Sequence, residues 1–426
     1  MPTDDAVDRG LLAPLGPDRP DLVGDGAVLD ALVTVEIALA LAWAAEGVAP
    51  EAAARIADTF GWRGSGEVAT GHGLDTGAIA EAAAAGGNPV IPLVAALRGR
   101  LDAADQPSLH RAATSQDVLD SALMLVARRA SEAIVADARR AERALARLIG
   151  AHRASPAVAR TLGQHAVPTT IGLRFAPRLA ALHRARTQLE TVAASLPAQF
   201  GGAAGTLAAA VEHARVAGLA DPAAAALAVS DALADELGLA RPALPWHVTR
   251  WPVTEFGDAL TRLVDAAGAF AADVATLSRS EIGELAEGAP GGSSAMPHKQ
   301  NPVDAVLIRG AALRAPFLGA TLHAASAQAV DQRPDGAWHA EWPTLRELIR
   351  LALGTAAALA RLTEGLIVDA DAAARHLAVV SADVLAERRA VVGPDDPAAG
   401  DPDPCHYLGA ADALVDRALH QTGGAL

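Results

Sequence analysis

From Ser115 to Ile149 the chain runs about 35 residues without a glycine or a proline. Within that stretch Leu119, Leu123, Val126, Ala130, Ile134, Ala138, Ala141, Leu145 and Leu148 recur at steps of three and four, the spacing that lines up one face of an α-helix. Thr114-Ser115-Gln116-Asp117 precedes them as a helix-capping sequence would. A helix this long exceeds the usual globular length of roughly 8–20 residues and cannot bury a broad apolar stripe by itself. The spacing therefore predicts a long-helix bundle. A second pattern runs from Val253 to about Glu287, with Phe256, Leu260, Leu263, Ala267, Phe270, Val274 and Leu277 on one face. A third runs from about Arg178 to Ser195, and Ala305 to about Leu366 reads as further helix broken near Pro334–Gly336. Apolar residues make up 51% of the chain but aromatics only 3%, so the packing groups are Ala, Leu and Val, which suit close helix contacts. No run of alternating strands is expected. The fold class is all-α.

These patterns divide the 426 residues into an N-terminal helical domain over 1–110, a central long-helix bundle over 111–365 and a shortened C-terminal helical domain over 366–426. The Asp/Pro/Gly-rich segment Gly393–Pro404 reads as an exposed linker. Helices of such length suggest a homo-oligomer whose bundle is shared between subunits. A net charge of −15 argues against a surface that coats nucleic acid. The apolar stretch Val28–Ala45 is interrupted by Asp30 and Glu36, so no membrane span is expected. Met1–Gly10 is acidic and lacks signal-peptide features, and the single cysteine, Cys405, suits a reducing compartment. Cytoplasmic location is the expectation.

Of the 35 basic residues, 34 are arginine, and the one lysine is Lys299. Only two asparagines occur, Asn88 and Asn301. A compositional bias that has replaced nearly every Lys and Asn leaves one of each two positions apart in one Gly/Ser/Pro loop, where a compact ammonium differs from a forked guanidinium. That loop reads Gly291-Gly292-Ser293-Ser294-Ala295-Met296-Pro297-His298-Lys299-Gln300-Asn301-Pro302. A serine hydroxyl is a very weak acid and moves a carbon-bound proton only if N–H donors and a positive charge stabilise its oxyanion. Lys299 and Asn301 can also hold a carboxylate and the dianion formed beside it.

This string resembles the signature loop of the fumarase/aspartase/argininosuccinate lyase superfamily. Ala113-Thr114-Ser115-Gln116-Asp117-Val118-Leu119-Asp120 is similar to that superfamily's first conserved region, and Arg160-Thr161-Leu162-Gly163-Gln164-His165-Ala166-Val167-Pro168-Thr169-Thr170 to its second. The likeness extends from about Leu32 to Asp369. It implies a three-domain helical fold, a homotetramer, and composite active sites in which the three regions meet from different subunits. Ser293, Lys299 and Asn301 then take the catalytic roles. Thr114, Ser115, Gln116, Thr161, Gln164, His165, Ser294 and Met296 become substrate-binding candidates. The substrate is a small polycarboxylate, and no metal or organic cofactor is implied.

Within the superfamily the chain most resembles the 3-carboxy-cis,cis-muconate cycloisomerases of protocatechuate breakdown in the beta-ketoadipate pathway, which form 4-carboxymuconolactone reversibly. The likeness rests on Gly87–Val94, Gln199–Leu207, Pro245-Trp246-His247, Ala337–Trp342 and the closing Tyr407–Leu419. Superfamily members that expel water or an amine use a His directly after the Thr of the second region, partnered by a Glu seven residues past the signature Lys. Here those positions are Leu162 and Val306. Losing such a proton donor costs roughly 10²–10⁴-fold in rate when the leaving group is poor. A lactonising enzyme needs none, because the substrate's own carboxylate is both nucleophile and leaving group and attacks from within the molecule.

His247, Arg250 and Arg333 are further candidate carboxylate contacts. His110 reads as a helix-entry residue, His298 as loop filling, Tyr407 as packing and Cys405 as inert. Trp338 and Trp342, four residues apart, read as a packed helix stripe. The chain departs from the cycloisomerase pattern at Ala112, Leu162, Trp251-Pro252 and Gln332, and in its shortened C-terminal region. The alternatives are another superfamily lyase that eliminates fumarate from a substituted succinate, adenylosuccinate-like or from secondary metabolism, and a catalytically silent homologue. A substituent that departs readily as an anion equally needs no acid.

Overall fold

The computed structural model describes residues 12–15 and 20–422, so the acidic Met1–Gly10 stretch lies outside the described residues. Five helices precede the long one: α1 (Pro20–Val23), α2 (Asp25–Ala45), α3 (Pro50–Phe60), α4 (Thr76–Gly86) and α5 (Val90–Arg98). The uninterrupted stretch forms α6 (Ser115–Ala151), 37 residues and about 55 Å long. A hairpin of β1 (Pro156–Thr161) and β2 (Gln164–Thr170) follows, then α7 (Ile171–Ala194), α8 (Ala208–Val216), α9 (Pro222–Leu237) and α10 (Trp251–Leu277). After β3 (Leu285–Glu287) come α11 (Val303–Ala327), α12 (Gly336–Glu364) and β4 (Leu366–Val368). Short helices close the chain: α13 (Ala370–Val379), α14 (Ser381–Val384), α15 (Ala386–Val392) and α16 (Ala411–Gln421).

Helices α6, α7, α10, α11 and α12 pack together as the central bundle. Cross-links fix their directions. The start of α6 faces the starts of α10 and α12, through Asp120 with Arg250 and with the Trp338 indole N–H. Farther along, Arg140 of α6 pairs with Glu364 at the end of α12. α7 runs the other way, joining Arg186 to Glu142 and Glu190 to Arg139. α10 and α11 approach so closely that a Cβ at Gly257 would lie 2.5 Å from Leu322 and one at Gly268 2.4 Å from Ala312. α2, apolar enough by length and composition to cross a membrane, is instead mostly buried among core residues. α11 also meets that length and composition test, but only a third of its most apolar window is covered.

Three local expectations are corrected. The second long helix stops at Leu277 rather than near Glu287; past its Ser278 cap the chain turns, Gly283 sits at φ +60°, and Leu285–Glu287 pairs antiparallel with Leu366–Val368. The third begins earlier, at Ile171, where the Thr170 hydroxyl accepts the Leu173 N–H at 3.0 Å. No run of strands is expected from the sequence, but the second conserved region is a β-hairpin. Thr161 faces Gln164 across a two-residue turn whose central residues, Leu162 and Gly163, sit at φ +50° and +81°. Two positive φ values suit the right-handed strand twist, but a leucine adopts that conformation under strain.

Candidate active site

The signature loop rises between β3 and α11. Its base is closed by paired backbone bonds, Gly291 N–H to Asn301 C=O and Asn301 N–H to Gly291 C=O, each 2.9 Å. The Asn301 side-chain amide donates to Gly292 C=O at 3.1 Å. Below it, Glu287 accepts the Asp304 and Ala305 N–H groups at the N-terminus of α11, and burial pushes its carboxyl above the ordinary range. Within the loop, the Ser293 Oγ accepts the Met296 N–H at 3.2 Å and the Ala295 N–H at 3.4 Å. These are the local bonds of a serine turn, and they leave two amide donors beside the hydroxyl oxygen. Lys299 supplies a positive charge on the same loop, and its side chain is exposed, as are Ser294, Met296 and His298.

The hairpin lies at the same end of the bundle. Its tip is exposed: Thr161, Leu162, Gln164 and His165 all face outward. Its stem is fixed by Glu284, a nearly fully buried carboxylate just before β3. Glu284 accepts from Arg160 of β1 at 2.6 Å, from Arg174 of α7 at 2.8 Å, and contacts His376 of α13 at 2.8 Å. Burial alone would raise its pKa, but these hydrogen bonds and the Arg174 charge hold it at about 2. One acid thus ties together the second conserved region, the approach to the signature loop and the C-terminal helices. Nothing in the sequence marks it, since its partners lie 92 to 124 residues away.

The first conserved region sits at the opposite end. Thr114 and Ser115 are half-buried, while Gln116 is fully buried and donates to His247 C=O at 2.9 Å. Asp117 organises the corner. Its carboxylate accepts the Thr114 N–H at 2.9 Å, the Gly201 and Gly202 N–H groups at 2.9 and 3.0 Å, and meets the His247 Nε2 at 2.7 Å. The glycine loop must come this close, because a Cβ at Gly201 would lie 2.8 Å from the His247 ring. Arg333 donates to Ala203 C=O of that loop at 3.1 Å. Gln116 Oε1, Gln199 Nε2 and His247 Nδ1 are buried with no partner among the described residues, which leaves polar atoms at this corner open to water or a ligand.

Arg250, offered by the sequence as a substrate contact, is corrected. Its side chain is 1% exposed, and every guanidinium nitrogen is engaged by Asp120, Glu341 or the Trp246 carbonyl, with the Trp246 ring 4.8 Å from its centre. The paired acids outweigh burial and push its pKa up, while burial raises that of Glu341 despite the arginine. An arginine so enclosed anchors the start of α10 and has no donor left for substrate. His110 is likewise held, with Nδ1 2.8 Å from the buried Glu36; burial opposes its charge but the Glu36 carboxylate wins and raises its pKa.

Within one chain the candidates therefore form two groups. Thr114, Ser115, Gln116, His247 and Arg333 cluster at the start of α6. Ser293, Lys299 and Asn301 share the far end with Thr161, Gln164 and His165, roughly 40 Å along the bundle. No group of three or more His, Cys, Asp or Glu side chains able to hold a metal occurs among the described residues.

The molecule is thus a long helical bundle whose Gly-Ser loop turns two amide N–H groups toward a serine oxygen. Residues 27–316 match a family described as lyase, and the chain belongs to that family, within the fumarase/aspartase superfamily. A nitrosuccinate lyase of Streptomyces davaonensis is 43% identical over 91% of this chain and 80% of its own length. A 3-carboxy-cis,cis-muconate cycloisomerase of Bradyrhizobium diazoefficiens is 41% identical over 85% of this chain and 77% of its own. The solved 3-carboxy-cis,cis-muconate lactonizing enzyme of Pseudomonas putida superposes with a TM-score of 0.82 at 33% identity, covering 96% of this chain and 97% of that one. The chain therefore has the fold of that superfamily.

Proposed function

We propose that this chain is a 3-carboxy-cis,cis-muconate cycloisomerase acting in protocatechuate breakdown. One substrate carboxylate adds across the double bond conjugated to another carboxylate. The dianionic intermediate is held by Lys299, Asn301 and the loop N–H groups, and Ser293 delivers the proton at carbon or removes it in reverse. Thr114, Ser115, Gln116, Thr161, Gln164 and His247 contact the remaining carboxylates. The observation that carries the reading is the pairing of an amide-cradled Ser293 with apolar Leu162 and Val306, both exposed, where an acid and its partner would stand. Such a site suits a leaving group that is already an anion.

Because the two groups of candidates lie at opposite ends of one chain, the reading requires composite sites in a homotetramer. Val306, Leu313 and Phe317 support it. They form an exposed apolar stripe along α11 at spacings of seven and four, the pattern of a helix that packs against another.

A second reading is favoured by the 43% identity to a nitrosuccinate lyase. A nitro group expelled as nitrite is also a stable anion, and the departures at Leu162 and Trp251-Pro252 leave room for a different substrate. The test is direct. Purified protein is given 3-carboxy-cis,cis-muconate while its diene absorbance is followed, and separately nitrosuccinate while nitrite is assayed. Loss of diene absorbance is expected. Nitrite release without it transfers the assignment to the second reading.

A further inference from the structure

The corner at the start of α6 carries positive charge that the described residues do not neutralise. Arg111 stands three residues before Thr114 and is half-buried. Its guanidinium makes one hydrogen bond among the described residues, to the Ser108 hydroxyl at 3.1 Å, and meets no carboxylate. Burial is left unopposed and lowers its pKa from the ordinary arginine value. An enclosed arginine normally has an acid beside it, as Arg250 has in Asp120 and Glu341. The nearby acids are already engaged: Glu36 with His110, and Asp117 with His247 and the loop amides. Arg333, whose hydrogen bond goes to Ala203 C=O, is a second cation at this corner without an acid partner among the described residues. The glycine loop links the two arginines, since a Cβ on Gly202 would lie 3.2 Å from Ala112 C=O. The backbone here is also held against its preference. His110 and Ala112, on either side of Arg111, sit at φ +58° and +62°, and Asp331, two residues before Arg333, at +53°. Strain of this kind persists where the surroundings of a site over-determine the chain.

We propose that Arg111 is a specificity-determining residue whose guanidinium forks onto the substrate carboxylate that takes no part in bond making, with Arg333 as the second cation of that subsite. The inference rests on the polycarboxylate reading above and deepens it. In a composite site the dianion forms at Lys299 and Asn301 of one copy, while the remaining carboxylate is carried by the first conserved region of another. A guanidinium presents parallel N–H groups that match the two oxygens of a carboxylate. With no resident acid, Arg111 has no ion pair to break before it takes up that anion, and it is already partly desolvated. The Trp43 indole fixes the turn that carries it, donating to Arg111 C=O at 3.2 Å and meeting the His213 ring of α8 edge-on. The remote carboxylate keeps its charge throughout the reaction. Arg111 therefore holds the ground state and the transition state alike, and acts on KM rather than on kcat.

The test compares tricarballylate with glutarate, which is the same chain lacking one carboxylate, by calorimetry on the full-length assembled protein. The wild type should bind tricarballylate at least about tenfold tighter than glutarate. Arg111→Gln should erase that preference by weakening tricarballylate and sparing glutarate, whereas an arginine that acts only through folding would weaken both alike. Arg111→Lys, whose ammonium offers no fork, should keep only part of the preference. With whichever substrate the protein turns over, Arg111→Gln should raise KM about tenfold and change kcat by less than about threefold. Equal affinities of the wild type for the two probes, equal losses in Arg111→Gln, a preference unchanged in either variant, or no binding of either probe each overturn the proposal. If Arg111→Gln does not fold, the wild-type ratio and Arg111→Lys decide it. The reaction is judged apart from the subsite. Failure to consume the diene or to release nitrite counts against the proposed function and leaves the probe comparison standing, while normal turnover with an unchanged preference in Arg111→Gln overturns the subsite alone.

Discussion

At the scale of single residues, the chemistry concentrates on Ser293 and the stability on Glu284. Replacing Ser293 by Ala removes the oxygen that the Ala295 and Met296 amides face, and turnover should fall by at least about 10³-fold with the assembly unchanged on sizing. A near-normal rate in that variant refutes the assigned role. Glu284 makes a pH prediction with a definite sign. Its carboxyl titrates near 2 in the folded chain against an ordinary 4.5, so its contribution is complete above about pH 4.5 and drains away as pH falls towards 2. Glu284→Gln should flatten that part of the acid-unfolding curve and cost roughly 3 kcal/mol at neutral pH, because Arg160 and Arg174 lose their countercharge. An unchanged acid limb counts against the hub. Lys299 and Asn301 are legible in the sequence because composition isolates them, and Ser293 because it stands in the same Gly/Ser/Pro string. Asp120, Glu284 and Glu341 are not, since each looks like any helix-face acid until the fold brings an arginine to it.

At the scale of elements, α6 is legible because nothing breaks its period over 37 residues and a capping sequence opens it. The hairpin is not. Its strands mix polarity, a bulge between Val158 and Arg160 shifts the alternation, and its turn is Leu-Gly rather than a residue pair suited to positive φ. Strain retained at an exposed tip points to a local demand other than stability. Leu162→Asn, which tolerates φ +50°, should therefore raise the melting temperature by the equivalent of about 1 kcal/mol. No gain in thermal unfolding means that the turn is not strained. The end of α10 is missed for a simpler reason: apolar Ile282 and Leu285 continue the helical rhythm, but the chain turns past its Ser278 cap.

At the scale of the whole molecule, the proposed composite site has a consequence that a single-chain site lacks. Ser293→Ala and Ser115→Ala damage opposite ends of the bundle, so each should be nearly inactive alone. Co-expressed in equal amounts and mixed at random, they should restore roughly a quarter of the sites, because some then draw both intact segments from different copies. Absence of complementation, with mixed oligomers verified by mass, counts against sites shared between chains. The exposed position of Lys299 leads somewhere else. An amine-directed reagent can acylate one side chain per polypeptide, alongside the α-amino group, and that side chain lies on the loop that bears Ser293. A fluorophore or spin probe attached there reports on the surroundings of that segment without cysteine engineering, once the α-amino group has been blocked at a pH where it alone is unprotonated.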